Sequence, residues 1–446
     1  MELSGARVLI LGLGLSGVSA ARWCAERGAR VVAADEGAAQ ADAAPIPGVD
    51  VRRAAPFPDP ADFDLVVPSP GVPRERWADR ARRAWGDIEL AYRALQVPIV
   101  AVTGTNGKST TVRLAEAMLR AAGLRAEAAG NVGVPALDLV GKPLDVAVLE
   151  VSSFQLEAVE AFRPRVGAIL NVTEDHLDRH GSVAVYAETK ARLFARQDAG
   201  DTAIGNADDA WARKIVAGTR ARRAWFHRGA PSNGSGDAAA TEAWSDASAI
   251  VLARDGAARR LSLDDFADRP LPPRENVLAA LLCAVAAGAD PLAALGGLAD
   301  FASLPHRMET VAVHGGVAWI DDSKATNPGA AEFALRAQAA PVVWIAGGRD
   351  KDLAFDELAE CARGRVRRAL LIGEASAKIA RALAGRVPYE EVGTLEAAVA
   401  RAAAIAQPGE VVLLAPGCAS FDQFKSYADR GERFAAAVRG LQGAKG

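Results

Sequence analysis

The sequence predicts an α/β protein with mostly parallel sheets covered by helices, and three observations support this fold class. Short apolar runs typical of buried strands alternate with stretches of helical periodicity. Two of these runs lead through a glycine-rich turn directly into a helix. The chain has 446 residues, which is more than one hydrophobic core of about 250–300 residues normally supports. We therefore expect two to three domains.

The composition is that of a globular enzyme and limits the classes of partner. Because 24% of the residues are charged and the formal net charge is -3, there is no electrostatic reason to expect a nucleic-acid partner. The four cysteines are scattered without a C-x-x-C pair, which fits a reducing compartment. The N-terminus lacks a signal-peptide pattern, and no apolar run reaches the roughly 20 residues of a membrane span. We expect a cytoplasmic monomer without membrane insertion.

Residues 1–95 are expected to form a first domain with a Rossmann-like fold. The sequence G-L-G-L-S-G at 12–17 stands between a predicted strand and a predicted helix, and Asp35 ends the next strand about 20 residues later. The glycines let the backbone approach a pyrophosphate, and the helix N-terminus supplies amide donors, which would suit UDP as well as NAD. Alternatively, the glycines serve only the tight packing of strand against helix. The predicted strands lie at 8–11, 31–33 and 65–67.

Residues 96–302 are expected to form a central domain with a P-loop ATPase-like, mostly parallel sheet. A predicted strand leads into T-G-T-N-G-K-S-T at 103–110, and a helix follows. In this context backbone amides surround phosphates, Lys108 reaches the terminal phosphoryl group and the Ser109 hydroxyl joins a magnesium shell. The glycines are two residues closer together than in the common phosphate-loop motif, and a simple helix-opening turn is the alternative. Further predicted elements are strands at 99–102, 146–149 and 168–170, helices at 182–196 and 274–287, and an exposed loop at 229–243.

Residues 303–446 are expected to form a third domain, again Rossmann-like. A polar run, D-S-K-A-T-N at 322–327, follows the first apolar strand of this segment, and such clustering after a strand is typical of a binding site. A helix N-cap role for Asp322 and Ser323 is the alternative. The predicted strands lie at 317–320, 342–345, 369–372 and 411–414.

The segment G-T-N-G-K-S-T at 104–110 resembles the ATP loop of the Mur ligases and of the related folylpolyglutamate and cyanophycin synthetases, which join an amine to a carboxylate. Further segments, in the same order along nearly the whole chain, resemble the D-glutamate-adding members of the Mur ligase family. These segments are G-N-V-G at 130–133, E-V-S-S-F-Q-L at 150–156, N-V-T-E-D-H-L-D at 171–178, P-H-R at 305–307, D-S-K-A-T-N at 322–327 and G-C-A-S-F-D-Q-F-K at 417–425.

The resemblance implies ATP-dependent ligation of D-glutamate to UDP-N-acetylmuramoyl-L-alanine through an acyl phosphate, in peptidoglycan precursor synthesis. It also implies two Mg²⁺ ions and a carbamate formed on Lys190 by CO2. Glu150 ends a predicted strand, where open α/β sheets place their ligands, and a carboxylate is a hard ligand that suits magnesium. Without the resemblance, His176 would be an ordinary structural histidine and Lys190 a lysine on a solvated helix face. The implied catalytic residues are Lys108, Glu150, His176 and Lys190, and the implied metal ligands are Ser109, Glu150, His176 and carbamylated Lys190.

The resemblance further assigns three sets of binding residues. For ATP they are Gly104, Thr105, Asn106, Gly107, Lys108, Ser109, Thr110, Asn276, Arg307 and Asp322. For the UDP-linked substrate they are Leu15, Ser16, Asp35, Ser69, Gly71, Asn131, Ser152 and His176. For the amino acid they are Lys324, Thr326, Lys351, Ser420, Phe421 and Tyr427. Tyr427 is otherwise an ordinary partly buried aromatic residue, and a direct role for Asp350 stays open.

Three other functions compete with this interpretation. Another Mur ligase or a folylpolyglutamate synthetase would use the same loop, although the latter usually has glycine at the position of Ser109, and the D-N-P-R motif of the diaminopimelate-adding relatives is absent. A nicotinamide-dependent oxidoreductase would use only the first glycine motif. A non-catalytic nucleotide-binding regulator would require Lys108, Glu150 and His176 all to be idle.

Overall fold

The computed structural model describes residues 2–37, 45–131, 133–230, 240–246, 248–254, 256–266, 271–301, 305–350 and 353–443. Three sheets carry the fold, and the chain divides into two compact units. Unit 1 comprises Met1–Val172 and Arg179–Phe301 and contains the first two sheets. Unit 2 comprises Thr173–Asp178 and Ala302–Gly446 and contains the third. Within the described ranges, no helix has both the length and the apolar character needed to cross a bilayer.

The first sheet has four parallel strands in the order β3-β2-β1-β4. The interior of its central strand, V-L-I-L at 8–11, is fully buried, and each such side chain contributes about 1.5–3 kcal/mol through burial. The three predicted strands are confirmed, while the edge strand β3 was not predicted because its residues are only partly buried or exposed. The elements are β1 Arg7–Leu11, α1 Leu15–Glu26, β2 Arg30–Asp35, β3 Val49–Arg53, β4 Leu65–Pro68 and α2 Asp87–Ala94.

The second sheet has nine strands in the order β13-β12-β11-β10-β9-β8-β5-β7-β6. Seven neighbouring strands run parallel, and β12 and β13 complete the sheet as an antiparallel pair. The strands are β5 Ile99–Thr103, β6 Ala126–Gly130, β7 Val146–Glu150, β8 Val166–Ile169, β9 Thr202–Asn206, β10 Arg222–His227, β11 Thr241–Ser245, β12 Ala249–Arg254 and β13 Ala257–Ser262. The helices are α3 Lys108–Ala121, α4 Ser153–Leu156, α5 Leu177–His180, α6 Val183–Ala191, α7 Ala210–Ala217, α8 Arg274–Ala286, α9 Pro291–Leu295 and α10 Gly297–Asp300.

Two sequence predictions in this region need correction. The exposed loop expected at 229–243 was wrong at its end, because β11 begins at Thr241, pairs in parallel with β10 and buries Ala243 completely. Positions 231–239 lie outside the described residues. The helix expected at 182–196 was too long, since α6 ends at Ala191 and the chain tightens into a 3₁₀ turn at Arg192–Phe194.

The third sheet has six strands in the order β14-β15-β19-β16-β17-β18, all parallel except β14. Because β15, β19 and β16 are neighbours with parallel direction, the segments that follow them meet at one edge of the sheet. The α/β class is confirmed in both units. The strands are β14 Glu309–His314, β15 Val317–Asp321, β16 Val342–Gly347, β17 Val366–Ile372, β18 Tyr389–Gly393 and β19 Val411–Leu414. The helices are α11 Pro328–Arg336, α12 Asp356–Ala362, α13 Ser376–Leu383, α14 Leu395–Ile405 and α15 Tyr427–Gly443.

Candidate functional site

The glycine-rich loop between β5 and α3 has a backbone that only glycine fits at two positions. Gly104 has φ +153°, and a Cβ there would lie 3.0 Å from the Leu170 Cβ. Gly107 caps α3 with φ +86°, and a Cβ there would lie 2.5 Å from Asn276 Oδ1. The loop therefore leads tightly into the N-terminus of a 14-residue helix, where free amides and the helix dipole favour an anion. Asn276, which was predicted to bind ATP, lies beside this loop.

Asn171 fixes the conformation of the loop, and the sequence did not single it out. Its side-chain oxygen accepts a hydrogen bond from Asn106 N at 2.8 Å, and its backbone oxygen accepts one from Thr105 N at 2.9 Å. These two amides therefore hold the loop in this conformation rather than pointing at a phosphate. The available signal was position, because Asn171 lies just beyond the end of β8, the strand next to β5.

Two lysines converge on one backbone carbonyl of this loop. Lys108 Nζ donates to the oxygens of Gly104 and Thr105 at 2.8 and 2.7 Å. Lys190 Nζ, from α6, donates to the same Gly104 oxygen at 2.9 Å and lies 4.2 Å from the centre of the Tyr186 ring. Lys190 is only 1% exposed, which excludes the solvated-face alternative. The two ammonium groups therefore lie at the phosphate loop.

Glu150 ends β7, which neighbours β5 with Val102 opposite Glu150. The carboxylate is 2% exposed, and its Oε1 accepts from Asn131 Nδ2 at 2.9 Å. Among the described residues, Oε2 is buried without a hydrogen-bond partner. A buried carboxylate oxygen without a donor is costly unless a cation or proton satisfies it. The carboxylate oxygen therefore fits a Mg²⁺ ligand, and Ser109, 3% exposed at the start of α3, offers a hydroxyl at the same end of the sheet.

In the first sheet, close packing explains two glycines of the G-x-G-x-x-G motif and leaves the third unexplained. Gly12 has φ +84°, and a Cβ on Gly17 would lie 1.9 Å from the Gly12 oxygen. A Cβ on Gly14 would meet nothing within 4 Å. Packing alone therefore does not account for the motif, and the open backbone at Gly14 leaves room for a ligand.

The other residues predicted to bind the UDP-linked substrate lie around this loop and at α4. Ser69 Oγ donates to the Gly12 oxygen at 2.9 Å, and the Asp35 carboxylate accepts from Leu13 N at 2.6 Å. Leu15 is 76% exposed at the first position of α1, although it is apolar. The placements of the remaining residues are as follows: Ser16 is half-buried in α1, Gly71 is exposed, and Ser152 caps α4.

In unit 2, His176 lies in the short segment Thr173–Asp178 and adopts the uncommon φ of +54°. Its backbone amide donates to Asp175 Oδ1 at 3.0 Å. The other oxygen of Asp175 accepts from Asn327 Nδ2 at 3.0 Å, and Asn327 also caps α11. The segment Thr173–Asp178 and the D-S-K-A-T-N segment therefore meet within this unit.

The residues predicted after β15 form a polar cluster. Asp322 is 8% exposed, and burial raises the pKa of its carboxyl to about 7 while the Arg307 guanidinium opposes that rise. Lys324 Nζ lies 3.8 Å from the centre of the Tyr427 ring. Thr326 is half-buried, two residues further on. The structure therefore brings Lys324 and Tyr427 into direct contact.

The remaining amino-acid residues differ in placement. Ser420 is 2% exposed, and its neighbour Phe421 is 65% exposed. Lys351 lies outside the described residues. Asp350 forms an ion pair with Lys378 at 3.0 Å, which accounts for its charge without a ligand.

Arg430 is a buried residue that the sequence analysis missed. Its Nε donates to Ser323 Oγ at 2.9 Å, and its Nη2 donates to the Ser323 and Cys418 oxygens at 2.9 and 3.2 Å. Burial lowers the pKa of this guanidinium to about 10. The side chain thus ties the segment of Lys324 to the segment of Ser420. No local pattern on α15 distinguishes it from a surface arginine.

The comparisons with known proteins agree along the whole chain. The family model described as Mur ligase middle domain matches residues 102–287, and the one described as Mur ligase, glutamate ligase domain matches residues 306–418. The chain is 46% identical to the UDP-N-acetylmuramoylalanine--D-glutamate ligase of Anaeromyxobacter dehalogenans, with 97% of each chain covered. It is 41% identical to the ligase of the same name from Geobacter metallireducens, with 99% of each covered.

Solved structures show the same fold at lower identity. A MurF ligase from Thermotoga maritima in complex with ADP matches 100% of this chain and 97% of its own, with a TM-score of 0.61 and 18% identity. MurF from Acinetobacter baumannii matches 98% of this chain and 91% of its own, with a TM-score of 0.62 and 17% identity. The family models and the relatives show that the chain belongs to the Mur ligase family.

Proposed function

We propose that this protein joins D-glutamate to UDP-N-acetylmuramoyl-L-alanine, converting ATP to ADP and phosphate, in peptidoglycan precursor synthesis. The observation that carries the proposal is the convergence of Lys108 and Lys190 on the Gly104 oxygen, in a loop that neighbours the buried Glu150 strand. The relatives named for this ligation are 46% and 41% identical over nearly the whole chain. The proposal includes a cytoplasmic location, since ATP and UDP-linked precursors are intracellular metabolites. It also includes a monomeric state.

The proposal assigns a main substrate to each of the three segments, and residues of a neighbouring segment complete the UDP-substrate and ATP sets. Residues 1–95 bind the UDP-linked substrate, which the open backbone at Gly14 supports. Residues 96–302 bind ATP, which the loop and helix dipole at Gly107 support. Residues 303–446 bind D-glutamate, which the cluster of Lys324, Tyr427 and the buried Ser420 supports.

The chemistry starts from a free carboxylate, whose oxygen is a poor leaving group. Transfer of the γ-phosphoryl group of ATP to the alanyl carboxylate gives an acyl phosphate, which the uncharged glutamate amine attacks to form a tetrahedral intermediate. That intermediate loses a proton from its nitrogen and expels phosphate, which leaves the amide. Lys108 and the amides at the start of α3 stabilise the negative charge on the moving phosphoryl group. Lys324, Lys351 and Ser420 bind the glutamate carboxylates and so hold the amine near the acyl carbon.

The proposal also includes two Mg²⁺ ions held by Ser109, Glu150, His176 and a carbamate on Lys190. When bound, Mg²⁺ neutralises charge on the phosphates and orients the γ-phosphoryl group. The carbamate forms when the neutral Lys190 amine attacks CO2 and loses one proton, which turns a cationic side chain into a carboxylate-like anion. Among the described residues Glu150 Oε2 is buried without a hydrogen-bond partner, which supports Glu150 as a ligand. The position of Lys190 Nζ beside the loop supports the carbamate as another ligand.

We predict that D-glutamate is turned over at least about 100-fold faster than L-glutamate. Exchanging the amine and hydrogen positions at the α-carbon moves the nucleophile off the acyl carbon while both carboxylates stay bound, and a misplacement of about 1 Å costs roughly 100-fold in rate.

Thr326→Ala and Ser420→Ala should each raise the KM for D-glutamate about 10-fold and leave the KM for ATP nearly unchanged. The measurement is amino-acid-dependent phosphate release with UDP-N-acetylmuramoyl-L-alanine.

Thr394→Ala is the matched control for these two substitutions. Thr394 is an exposed residue of the same unit whose hydroxyl caps α14, so its loss should lower stability by about 1 kcal/mol without changing either KM. Faster turnover with L-glutamate would overturn the stereochemical assignment and leave the ligase assignment standing.

A nicotinamide-dependent oxidoreductase is the competing function that the first glycine motif favours. We predict that UDP and the UDP-linked substrate bind and that NAD does not, because the described site residues of the second and third sheets resemble those of an ATP-dependent ligase. Calorimetric titration of the full chain with each nucleotide measures this. Micromolar binding of NAD with no measurable binding of the UDP-linked substrate would refute the proposed function.

A further inference from the structure

Helix α2, which leads from the first sheet to the second, buries two carboxylates in its first turn. Asp87 is 3% exposed and Glu89 is 0% exposed. Burying a carboxylate is costly unless hydrogen bonds or a counter-charge compensate it. Each of these side chains must therefore have a specific set of partners, and the two sets differ.

Asp87 joins residues of the first glycine loop to residues of α4. Its Oδ2 accepts from Gln155 Nε2 at 2.8 Å, and its Oδ1 accepts from Ile88 N at 2.9 Å. The Ser16 side chain also hydrogen bonds to this carboxyl group. Burial raises the pKa of Asp87, and these hydrogen bonds oppose the rise. The carboxyl group is thus a bridge between Ser16 and Gln155.

The orientation of the Gln155 amide is fixed by Ser152. Gln155 Oε1 accepts from Ser152 N and Ser152 Oγ at 3.0 and 3.1 Å, and Ser152 in turn caps α4. With its oxygen committed to Ser152, the Gln155 amide can present only N–H groups to Asp87. An acceptor is therefore required at position 87, and the chain of contacts runs from Ser16 through Asp87 and Gln155 to Ser152.

Both ends of that chain are residues assigned above to the UDP-linked substrate. We propose that Asp87 is a positioning residue, which sets the side chains of Ser16 and Ser152 relative to one another so that both meet the same UDP-linked substrate. This inference rests on the proposed function, because it takes the substrate from there. Asp87 itself acts through its neighbours and does not touch the reacting atoms.

Glu89 provides an internal comparison. It accepts hydrogen bonds from the backbone amides of Glu160, Ala161 and Phe162 at 2.9 to 3.1 Å, and it pairs with Arg93 at 2.7 Å. The contacts with these three amides anchor α2 to the segment that follows α4. Of the two buried carboxylates in this helix turn, Asp87 therefore has the positioning role and Glu89 the anchoring role.

The test compares Asp87→Asn with Glu89→Gln in the full chain. Asparagine has one acceptor oxygen where aspartate has two, so its NH2 group must face either the Gln155 NH2 or the Ile88 N–H, and one of these two hydrogen bonds is lost. We expect Asp87→Asn to raise the KM for UDP-N-acetylmuramoyl-L-alanine about 10-fold, with the KM for ATP unchanged. Glu89→Gln should lower Tm and leave both KM values unchanged, because its partners lie outside the glycine loop and α4.

A second variant covers the case in which Asp87→Asn fails to fold. Gln155→Met removes the donor to Asp87 and the acceptor for Ser152, and it should also raise the KM for the UDP-linked substrate about 10-fold. An unchanged KM for that substrate in Asp87→Asn would overturn the positioning role. If Asp87→Asn does not fold, an unchanged KM in Gln155→Met would overturn it instead. In either case, turnover by the wild-type protein would still uphold the proposed function. If the wild-type protein does not turn over the UDP-linked substrate, the proposed function fails and this inference fails with it.

Discussion

Replacing Lys108 with alanine is expected to lower kcat for ligation at least about 1,000-fold, because a single cation placed at a transferring phosphoryl group contributes about 10³–10⁵ to its rate. Lys108 Nζ already lies inside the loop, bonded to the Gly104 and Thr105 oxygens, so it needs only a small movement to meet a phosphate. Binding of the UDP-linked substrate should stay close to that of the wild type. Phosphate release and calorimetric titration measure the two quantities.

Lys214→Ala is the matched control for this substitution. Lys214 is an exposed lysine on α7 of the same unit, in contact with the Trp211 ring, and its removal should leave kcat unchanged. Retention of more than a tenth of wild-type kcat in Lys108→Ala would contradict the phosphate-binding role. Loss of UDP-substrate binding together with a large fall in Tm would instead show that Lys108 mainly stabilises the loop.

The elements that the sequence predicted best are the strands buried on both faces. In β1, β5 and β16 every interior residue is apolar and buried, so the apolar run is visible without any knowledge of neighbours. Edge strands such as β3 and β18 alternate between partly buried and exposed residues, and their short, charged sequences resemble loops. Their strand character comes from pairing with a neighbour, which a local pattern does not contain.

In the candidate site, too, local patterns were predictable and contacts between distant residues were not. The loops that follow β5, β7 and β15 were predicted, because ligands in open α/β sheets lie at the carboxyl ends of strands. The side-chain contacts that organise these loops join distant residues: Lys190 and Gly104 are 86 residues apart, and Asp87 and Gln155 are 68 apart. Arg430 and Ser323 are 107 apart. Nothing in the sequence near Asp87 or Arg430 indicates such partners, so both residues were missed.

Lys190→Ala is expected to lower kcat at least about 100-fold. Added acetate or propionate should then raise the kcat of this variant at least about tenfold. Removing one preorganised charged group from an active site typically costs about 10²–10³ in kcat. Lys190 is only 1% exposed, so its truncation leaves a space beside the Gly104 oxygen that a small carboxylate can enter. The measurement is phosphate release as a function of carboxylate concentration.

Lys190→Arg separates a carbamate from a simple cation at this position. Arginine keeps the positive charge but does not lose a proton at accessible pH, so it does not react with CO2. If the function of Lys190 is to carry a carbamate, the arginine variant should be as inactive as the alanine variant and, because its side chain fills the space, should not respond to added carboxylate. Near wild-type activity of Lys190→Arg would show that a cation beside the Gly104 oxygen suffices, and full activity of unrescued Lys190→Ala would remove Lys190 from the catalytic residues.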